Sequence, residues 1–269
     1  MSRLQARRHR SAREGPSSAG GGRSYGRLAE FYDRVYSWKD YRRESEGIRR
    51  LVRRWGPSPA RTLLDVGCGT GEHLRYLARR FECTGLDPSS QMLAVARKKL
   101  PAVRWERGAM PAFDLGRSFD VVICLFSAIG YVRDASALRA TLRTFARHLN
   151  AGGIVLVEPW LTPDVWKPGS VHLLSVPSPT EPLARMNSSV TEDGRSVMEM
   201  HYLAALRGRV VHWKERHVMS LFTDAQYRAA FRSAGLTVHR LRSGFTSERG
   251  IYLGRKSPPR TGRKGRRPS

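Results

Sequence analysis

From Thr62 onward, short apolar runs alternate with stretches in which apolar residues recur every three or four positions. The runs at Leu63–Val66, Cys83–Leu86, Val103–Glu106, Phe119–Phe126 and Ile154–Val157 are strand-sized. The fourth is almost wholly apolar, as a central parallel strand buried on both faces should be. Between them, Pro88-Ser89-Ser90 starts a helix that stops at Lys98-Lys99-Leu100-Pro101, and a second helix, Ala135 to Leu149, runs into an Asn150-Ala151-Gly152-Gly153 turn. This alternation predicts an α/β fold built on a parallel sheet with helices on both faces.

The flanks of that core follow different periods. Leu28, Phe31, Tyr32, Val35 and Tyr36 fall at helical spacing. After a break at Ser37 to Tyr41, a second helix carries Ile48, Leu51 and Val52 to the stop Gly56-Pro57-Ser58-Pro59. Residues 161 to about 222 instead hold four β-like runs, Val171–Val176, Ala184–Val190, Val197–Ala204 and Val210–Leu221, separated by Pro- and Gly-containing turns. They predict a small antiparallel sheet inserted after the fifth strand, set over the crevice as an acceptor-side lid. The core resumes with Thr223 capping a helix to Ala234, and closes with Leu236–Leu241 and Ile251–Leu253.

The chemistry is announced at the end of the first strand, where Asp65-Val66-Gly67-Cys68-Gly69-Thr70-Gly71 leads into a helix. Glycine is required where the backbone takes positive φ or approaches a ligand closely, and the new helix offers unpaired N–H groups. The spacing is tighter than the G-x-G-x-x-G of dinucleotide sites. A carboxylate, Asp87, follows about twenty residues on at the end of the second strand, where an open α/β sheet places the acid that holds a ribose diol. A glycine-rich turn in another nucleotide-binding fold is the competing reading. Together, D-x-G-x-G-x-G and the downstream acid resemble the first two motifs of class I S-adenosylmethionine-dependent methyltransferases. The fold expected on that resemblance is Rossmann-like: a seven-stranded, mostly parallel sheet with an antiparallel last strand, plus the inserted sheet.

Ala109 and Met110 then sit at the carboxyl end of the third strand, placed to meet the adenine with a backbone N–H and a thioether. After the fourth strand, Ser127-Ala128-Ile129-Gly130-Tyr131 stands where enzymes that methylate exocyclic base nitrogens carry Asn or Asp followed by Pro-Pro and an aromatic. A small hydroxyl, a glycine and a tyrosine suit a pocket for a modest polar ligand better than a slot for a flipped base.

Several stretches resemble a narrower group, the N,N-dimethyltransferases acting on nucleotide-linked amino deoxysugars. They are Tyr32 to Tyr36, Lys39 to Tyr41, Leu64 to His73, Cys124 to Val132, Val157 to Trp160, Met198 to His201, His217 to Phe222 and Arg249 to Gly254. The resemblance implies that Tyr36 closes over cofactor and acceptor. It assigns Asp65, Gly67, Gly69, Gly71, Asp87, Ala109, Met110 and Leu125 to the cofactor, S-adenosyl-L-methionine, with Gly67 at its methionine moiety. Ser127, Tyr131, Glu158 and Trp160 would line the acceptor pocket, with Arg249 facing a pyrophosphate. The chain departs from the pattern in a shorter loop between Tyr36 and Lys39, in Ala109 replacing an acid, and in its two tails.

Charge changes the picture only at the ends. Of the net +25 carried by 269 residues, nearly half comes from residues 1 to 23 and 255 to 269, which are rich in Arg, Gly, Ser and Pro. Such segments do not bury enough apolar surface to offset ordering, so residues 1–24 and 257–269 are expected to be disordered around a methyltransferase domain at 25–256. They act as solubilising tails or as a non-specific attraction to nucleic acid, and the first twenty residues faintly suggest a transit peptide. The longest apolar run, Val121 to Phe126, is strand-sized, so no membrane span is expected. Cys68, Cys83 and Cys124 share no metal-ligand spacing and read as reduced core thiols, which predicts a cytoplasmic setting and no metal centre. A homodimer is a further expectation.

Methyl transfer from a sulfonium disperses charge, so the residues mainly have to align a lone pair and exclude water. Candidate bases are Tyr131, His217, His201 and Glu158; Tyr131 comes first, as the residue that orients the acceptor, and His217 is the other residue assigned to catalysis. The reaction expected is methylation of a small polar metabolite, foremost the amine of a nucleotide-linked amino sugar. An RNA or protein methyltransferase using the basic tails for affinity is the second reading.

Overall fold

A computed structural model of the chain describes residues 28–242 and 249–258, and the basic tails and most of the loop before Gly250 lie outside them. Strands β1 (Thr62–Val66), β2 (Glu82–Asp87), β3 (Arg104–Arg107), β4 (Phe119–Cys124), β5 (Leu149–Val157), β10 (Leu236–Leu241) and β11 (Ile251–Lys256) form one sheet in the order β10-β11-β5-β4-β1-β2-β3. Neighbours β1 to β5 pair in parallel, whereas β11 runs antiparallel to both β5 and β10. This is the expected mostly parallel sheet with a reversed last strand. The order turns away in both directions between β1 and β4, which opens a crevice at their carboxyl ends.

Two cores cover the sheet. On one face Leu64, Val66, Val122 and Val155 pack beneath helices α5 (Ala135–Arg147) and α6 (Asp224–Ser233). On the other, Leu63, Val121, Ile123 and Leu156 pack beneath α2 (Tyr41–Trp55), α3 (Glu72–Leu77) and α4 (Ser90–Lys99). Side chains alternate across β1 and β4, so both faces of these strands are apolar and each fully buried Leu, Ile or Val contributes about 1.5–3 kcal/mol. Caps set the helix starts: Asp40 accepts Arg43 N–H, Ser89 accepts Met92 N–H, Asp134 accepts Ala137 N–H, and Thr223 forms a capping box with Gln226. Among the described residues, no helix is long and apolar enough to cross a membrane.

The insertion is a four-stranded antiparallel meander, β6 (Val171–Val176), β7 (Leu183–Glu192), β8 (Arg195–Leu206) and β9 (Arg209–Ser220). A third apolar cluster, in which Leu28, Phe31 and Val35 meet Leu183, Met200, Tyr202 and Ala204, ties this sheet to the N-terminal segment. Tyr202 stacks on Trp213 at 5.0 Å and Phe31 tilts against Trp213 at 5.5 Å.

Two local expectations are corrected. The first helix is not continuous: a 3-10 turn at Leu28–Glu30 precedes a single α-turn, α1 (Tyr32–Val35), because Phe31 and Val35 must face the inserted sheet rather than a uniform helix stripe. The Asn150-Ala151-Gly152-Gly153 turn lies inside β5 as an irregularity, with Phe119 pairing Leu149 but Val121 pairing Ile154. Gly152 takes φ +77° there, and Asn150 Nδ2 donates to Asp120 Oδ1 at 2.9 Å.

Candidate active site

At the end of β1 the chain bends through Gly67 (φ +76°), Gly69 (φ +55°) and Gly71 (φ +80°) into α3. A Cβ at Gly67 would meet Ala128 Cβ at 2.7 Å, and one at Gly71 would meet Trp105 Cη2 at 2.5 Å. At Gly69 it would meet nothing within 4 Å, because that backbone faces a cavity. Thus two glycines are cleared for the protein's own packing and one for a ligand. The Gly69 N–H donates to Asp87 Oδ2 at 2.9 Å and the Ser89 N–H to Oδ1 at 2.8 Å, so the acid that ends β2 is fixed against the loop that follows β1. Asp87 is 7% exposed and lines the cavity. Burial pushes its carboxyl above the usual carboxylate range, and the two backbone donors oppose that shift.

The cavity, about 640 Å³, runs from this loop to the inserted sheet and is of the size that holds a cofactor-sized ligand with an acceptor. Gly67, Gly69, Asp87, Ala109, Met110 and Leu125 line one end, beside Leu86 and Met92. Tyr36, Ser127, Tyr131, Trp160, His217 and Arg249 line the remainder. Asp65 and Gly71 do not reach it. Asp65 is 2% exposed behind the loop, and burial, with a smaller contribution from Asp87, pushes its carboxyl up to about 7 against the pull of His73. The groups present fit S-adenosylmethionine: open backbone at Gly69, a fixed acid at the second strand tip, and apolar side chains at the third and fourth.

Beyond β4 the backbone is strained. Phe126 (φ +49°) and Ser127 (φ +61°) both adopt left-handed conformations, costing about 1–3 kcal/mol each for non-glycine residues. Several contacts hold them: Phe126 N–H donates to Glu158 Oε2 at 2.7 Å, Ser127 Oγ donates to the Pro159 carbonyl at 2.8 Å, and Arg249 Nη1 donates to Ser127 Oγ at 2.6 Å. Glu158 therefore stands behind the cavity wall, holding the turn that presents Ser127. Trp160 is fixed by its Nε1–H to Ser196 Oγ at 2.8 Å, and the Arg249 guanidinium lies 5.2 Å from its ring centroid.

The inner face of the inserted sheet supplies the opposite wall. Tyr131 Oη and His217 Nδ1 are 2.6 Å apart, and His217 is 2% exposed. His201 projects from the outer face instead, stacked on His212 and paired with Glu199, so it is not a base for this cavity. Tyr36 packs edge-on against Phe126 at 5.0 Å and accepts from Arg185 Nη1 at 3.4 Å. Burial pushes its hydroxyl pKa up, partly offset by Arg185. On the outer side of that segment, Asp33 Oδ1 accepts from Thr70 Oγ1 at 2.5 Å and its Oδ2 pairs with Lys99 Nζ at 2.6 Å, which straps α1 to the glycine loop. Beneath it, buried Lys39 and His73 both pair with Glu44, which holds that carboxyl down at about 2 despite its burial.

Sequence reasoning did not find Arg185, Asn187 and Glu215, although Arg185 and Asn187 line the cavity and Glu215 stands beside His217. The available signal was alternation: Arg185-x-Asn187-x-Ser189 on β7 and Glu215-x-His217-x-Met219 on β9 place polar groups on one face of each strand. The register then aligns Asn187 with Met200 and Met200 with Glu215, and likewise Met198 with His217.

A methyltransferase-domain family matches residues 63–153, the span from β1 to the middle of β5. Over 251 residues the chain is 41% identical to the dTDP-3-amino-3,6-dideoxy-alpha-D-glucopyranose N,N-dimethyltransferase of Streptomyces fradiae, covering 91% of this chain and 96% of that one. Its fold superimposes on the crystal structure of Streptomyces venezuelae DesVI with a TM-score of 0.80 at 40% identity, covering 86% of this chain and 98% of the other. It also matches S-adenosylmethionine-bound CalS10, an amino pentose methyltransferase from Micromonospora echinaspora, with a TM-score of 0.77 at 32% identity, covering 87% and 98%.

Proposed function

Since the chain belongs to the class I methyltransferases that include the nucleotide-sugar N,N-dimethyltransferases, and S-adenosylmethionine is its cofactor, we propose that its acceptor is the amine of a nucleotide-linked amino sugar. The observation that carries this reading is Arg249. Its guanidinium lies over Trp160, donates to Ser127 Oγ, lines the cavity, and has no carboxylate partner among the described residues. A planar donor fork in an apolar wall suits the bidentate grip of a phosphate oxygen pair.

In this reading the labour divides along the cavity. The bound cofactor supplies an electrophilic methyl on a positively charged sulfur. Gly67, Gly69, Asp87, Ala109, Met110 and Leu125 hold it, Arg249 and Trp160 hold the phosphate end of the acceptor, and Ser127 and Tyr131 set the sugar amine between them. Tyr36, the strap through Asp33 and the inserted sheet exclude water. Positioning of this kind supplies roughly 7–11 kcal/mol towards the barrier.

The wider arrangement is part of the same proposal. The inserted sheet within residues 161–222 acts as the acceptor-side lid, since its inner face contributes Arg185, Asn187 and His217 to the cavity. Its outer face exposes Val171, Leu173, Met186 and Leu203, which supports association of two copies. Three free buried thiols support a reducing, cytoplasmic setting.

The test is Arg249→Ala assayed with a nucleotide-linked amino sugar and with the free amino sugar. The expected result is at least a tenfold higher KM for the nucleotide-linked acceptor alone, consistent with about 1.4 kcal/mol or more from a charge-assisted contact. Equal effects on both acceptors would remove the phosphate role.

A further inference from the structure

The wall facing the acceptor contains a line of three polar side chains drawn from two elements. Tyr131, at the end of a 3-10 turn (Ala128–Tyr131), meets His217 Nδ1 at 2.6 Å. On the far side of the imidazole, His217 Nε2 lies 3.4 Å from Glu215 Oε2, on the same face of β9 two residues back. Tyr131 and His217 line the cavity, whereas Glu215 is 7% exposed and set back from it. A backbone hydrogen bond from Leu28 anchors Glu215 to the start of the N-terminal segment. The other titratable side chains that act on this line are Tyr32 on α1, Tyr36 at its end and Tyr202 on β8, with Arg185 on β7 acting in turn on Tyr36 and Tyr202.

The preferred tautomer follows from the charge on Glu215. Burial raises the Glu215 carboxyl, while the facing His217 and the Leu28 backbone oppose that shift. The contact at 3.4 Å is an ion-pair contact rather than a closed hydrogen bond, and the ionised carboxylate favours the hydrogen on His217 Nε2 and a lone pair on Nδ1. Tyr131 must then donate its O–H to Nδ1, which leaves the phenol oxygen's lone pairs facing the cavity. With the opposite tautomer Nδ1–H would occupy that oxygen and turn the phenol hydrogen toward the acceptor.

We propose that Glu215 is a positioning residue that fixes the His217 tautomer, so that Tyr131 and His217 take the proton released by the acceptor amine. This rests on the amine-acceptor reading above. An amine that gains a methyl becomes a protonated ammonium and has no lone pair until a proton leaves. In the relay, an ammonium N–H bond breaks as its proton passes to Tyr131 Oη, while the original Tyr131 proton moves to His217 Nδ1. The products are a neutral methylated amine, an unchanged tyrosine and an imidazolium beside the Glu215 carboxylate. The positive charge is moved, not created, and the free amine is ready for a second methylation or release.

The experiment combines nitrogen-resolved NMR of the histidine side chains in the full-length protein with steady-state kinetics of Glu215→Gln. In the wild type, His217 is expected as the Nε2–H tautomer near neutral pH without any acceptor present. Observation of the Nδ1–H form would overturn the proposal whatever the substrate proves to be. Glu215→Gln should lower kcat by about tenfold or more, within the range of acid–base contributions, leave the acceptor KM within about threefold, and move the acid limb of the kcat–pH profile. Glu215→Asp should restore part of the rate. An unchanged kcat and pH profile in Glu215→Gln, with the protein folded by the same NMR spectrum, would overturn it. A wild type that methylates no amine would defeat the acceptor reading instead, while leaving the tautomer measurement to stand by itself.

Discussion

The Gly69 N–H sits 2.9 Å from Asp87 Oδ2, joining the loop after β1 to the tip of β2. One carboxylate therefore does two things: it orders the glycine backbone and it offers its remaining lone pairs to the cavity. Asp87→Ala removes both, and should weaken S-adenosylmethionine binding more than tenfold by isothermal calorimetry, about 1.4 kcal/mol or more. Asp87→Asn keeps the size but cannot accept on both sides, and should fall between the two. Wild-type affinity in Asp87→Ala would remove this residue from the cofactor site.

The three glycines of the loop should fail in different ways. Gly71→Ala forces a left-handed backbone, about 1–2 kcal/mol, and drives a methyl into Trp105, whose indole is pinned by Nε1–H to the Leu100 carbonyl at 3.1 Å. Gly69→Ala has the same backbone cost but points its methyl into open cavity. The expected outcome is a larger loss of melting temperature for Gly71→Ala and a larger loss of cofactor affinity for Gly69→Ala, measured on the same preparations. Equal melting temperatures would refute the division into packing and ligand glycines.

How much of this was readable in the chain depends on how local the cause was. The strand order's core, the glycine bend and the caps at Ser89 and Thr223 follow from interactions within a few residues, and the sequence pattern carries them directly. Glu158 shows the limit. Its place beside Trp160 suggested the acceptor pocket, but the left-handed turn at Phe126 and Ser127, about thirty residues earlier, captures its carboxylate. The inner face of the inserted sheet was equally hidden, because alternation marks Arg185, Asn187 and Glu215 as sharing faces without saying which face meets the cavity. Only the packing of Leu28, Phe31 and Val35 against Leu183 and Tyr202 decides that.

Asp65 predicts a pH dependence. Burial raises its carboxyl to about 7 from an ordinary 3.8, so the folded state favours the protonated form. The sign follows by linkage: this contribution to stability is complete below about pH 3.8 and is lost as pH rises towards 7, where the buried group ionises. Asp65→Asn, neutral throughout, should therefore gain in stability relative to wild type as pH rises from about 4 to 8, by up to about 4 kcal/mol at 1.36 kcal/mol per pH unit, as read by denaturant unfolding. Parallel stability curves for the two proteins would show that Asp65 does not titrate in this range.

The basic ends give the last prediction, because they separate a metabolite enzyme from one that acts on RNA. Residues 1–23 and 259–269 lie outside the described residues and carry much of the chain's net +25 charge, while the cavity is lined by elements between Tyr32 and Arg249. If the acceptor is a small nucleotide-linked sugar, removing both ends should leave kcat and KM within about twofold and leave the salt dependence of kcat/KM unchanged. An RNA substrate predicts the reverse: every phosphate that the basic ends no longer neutralise lowers the slope of log affinity against log salt by about 0.7–0.9, and affinity falls with it. Steady-state kinetics of the doubly truncated chain across a salt series therefore decides between them. A collapse of affinity on truncation, with a flattened salt slope, would overturn the small-metabolite assignment.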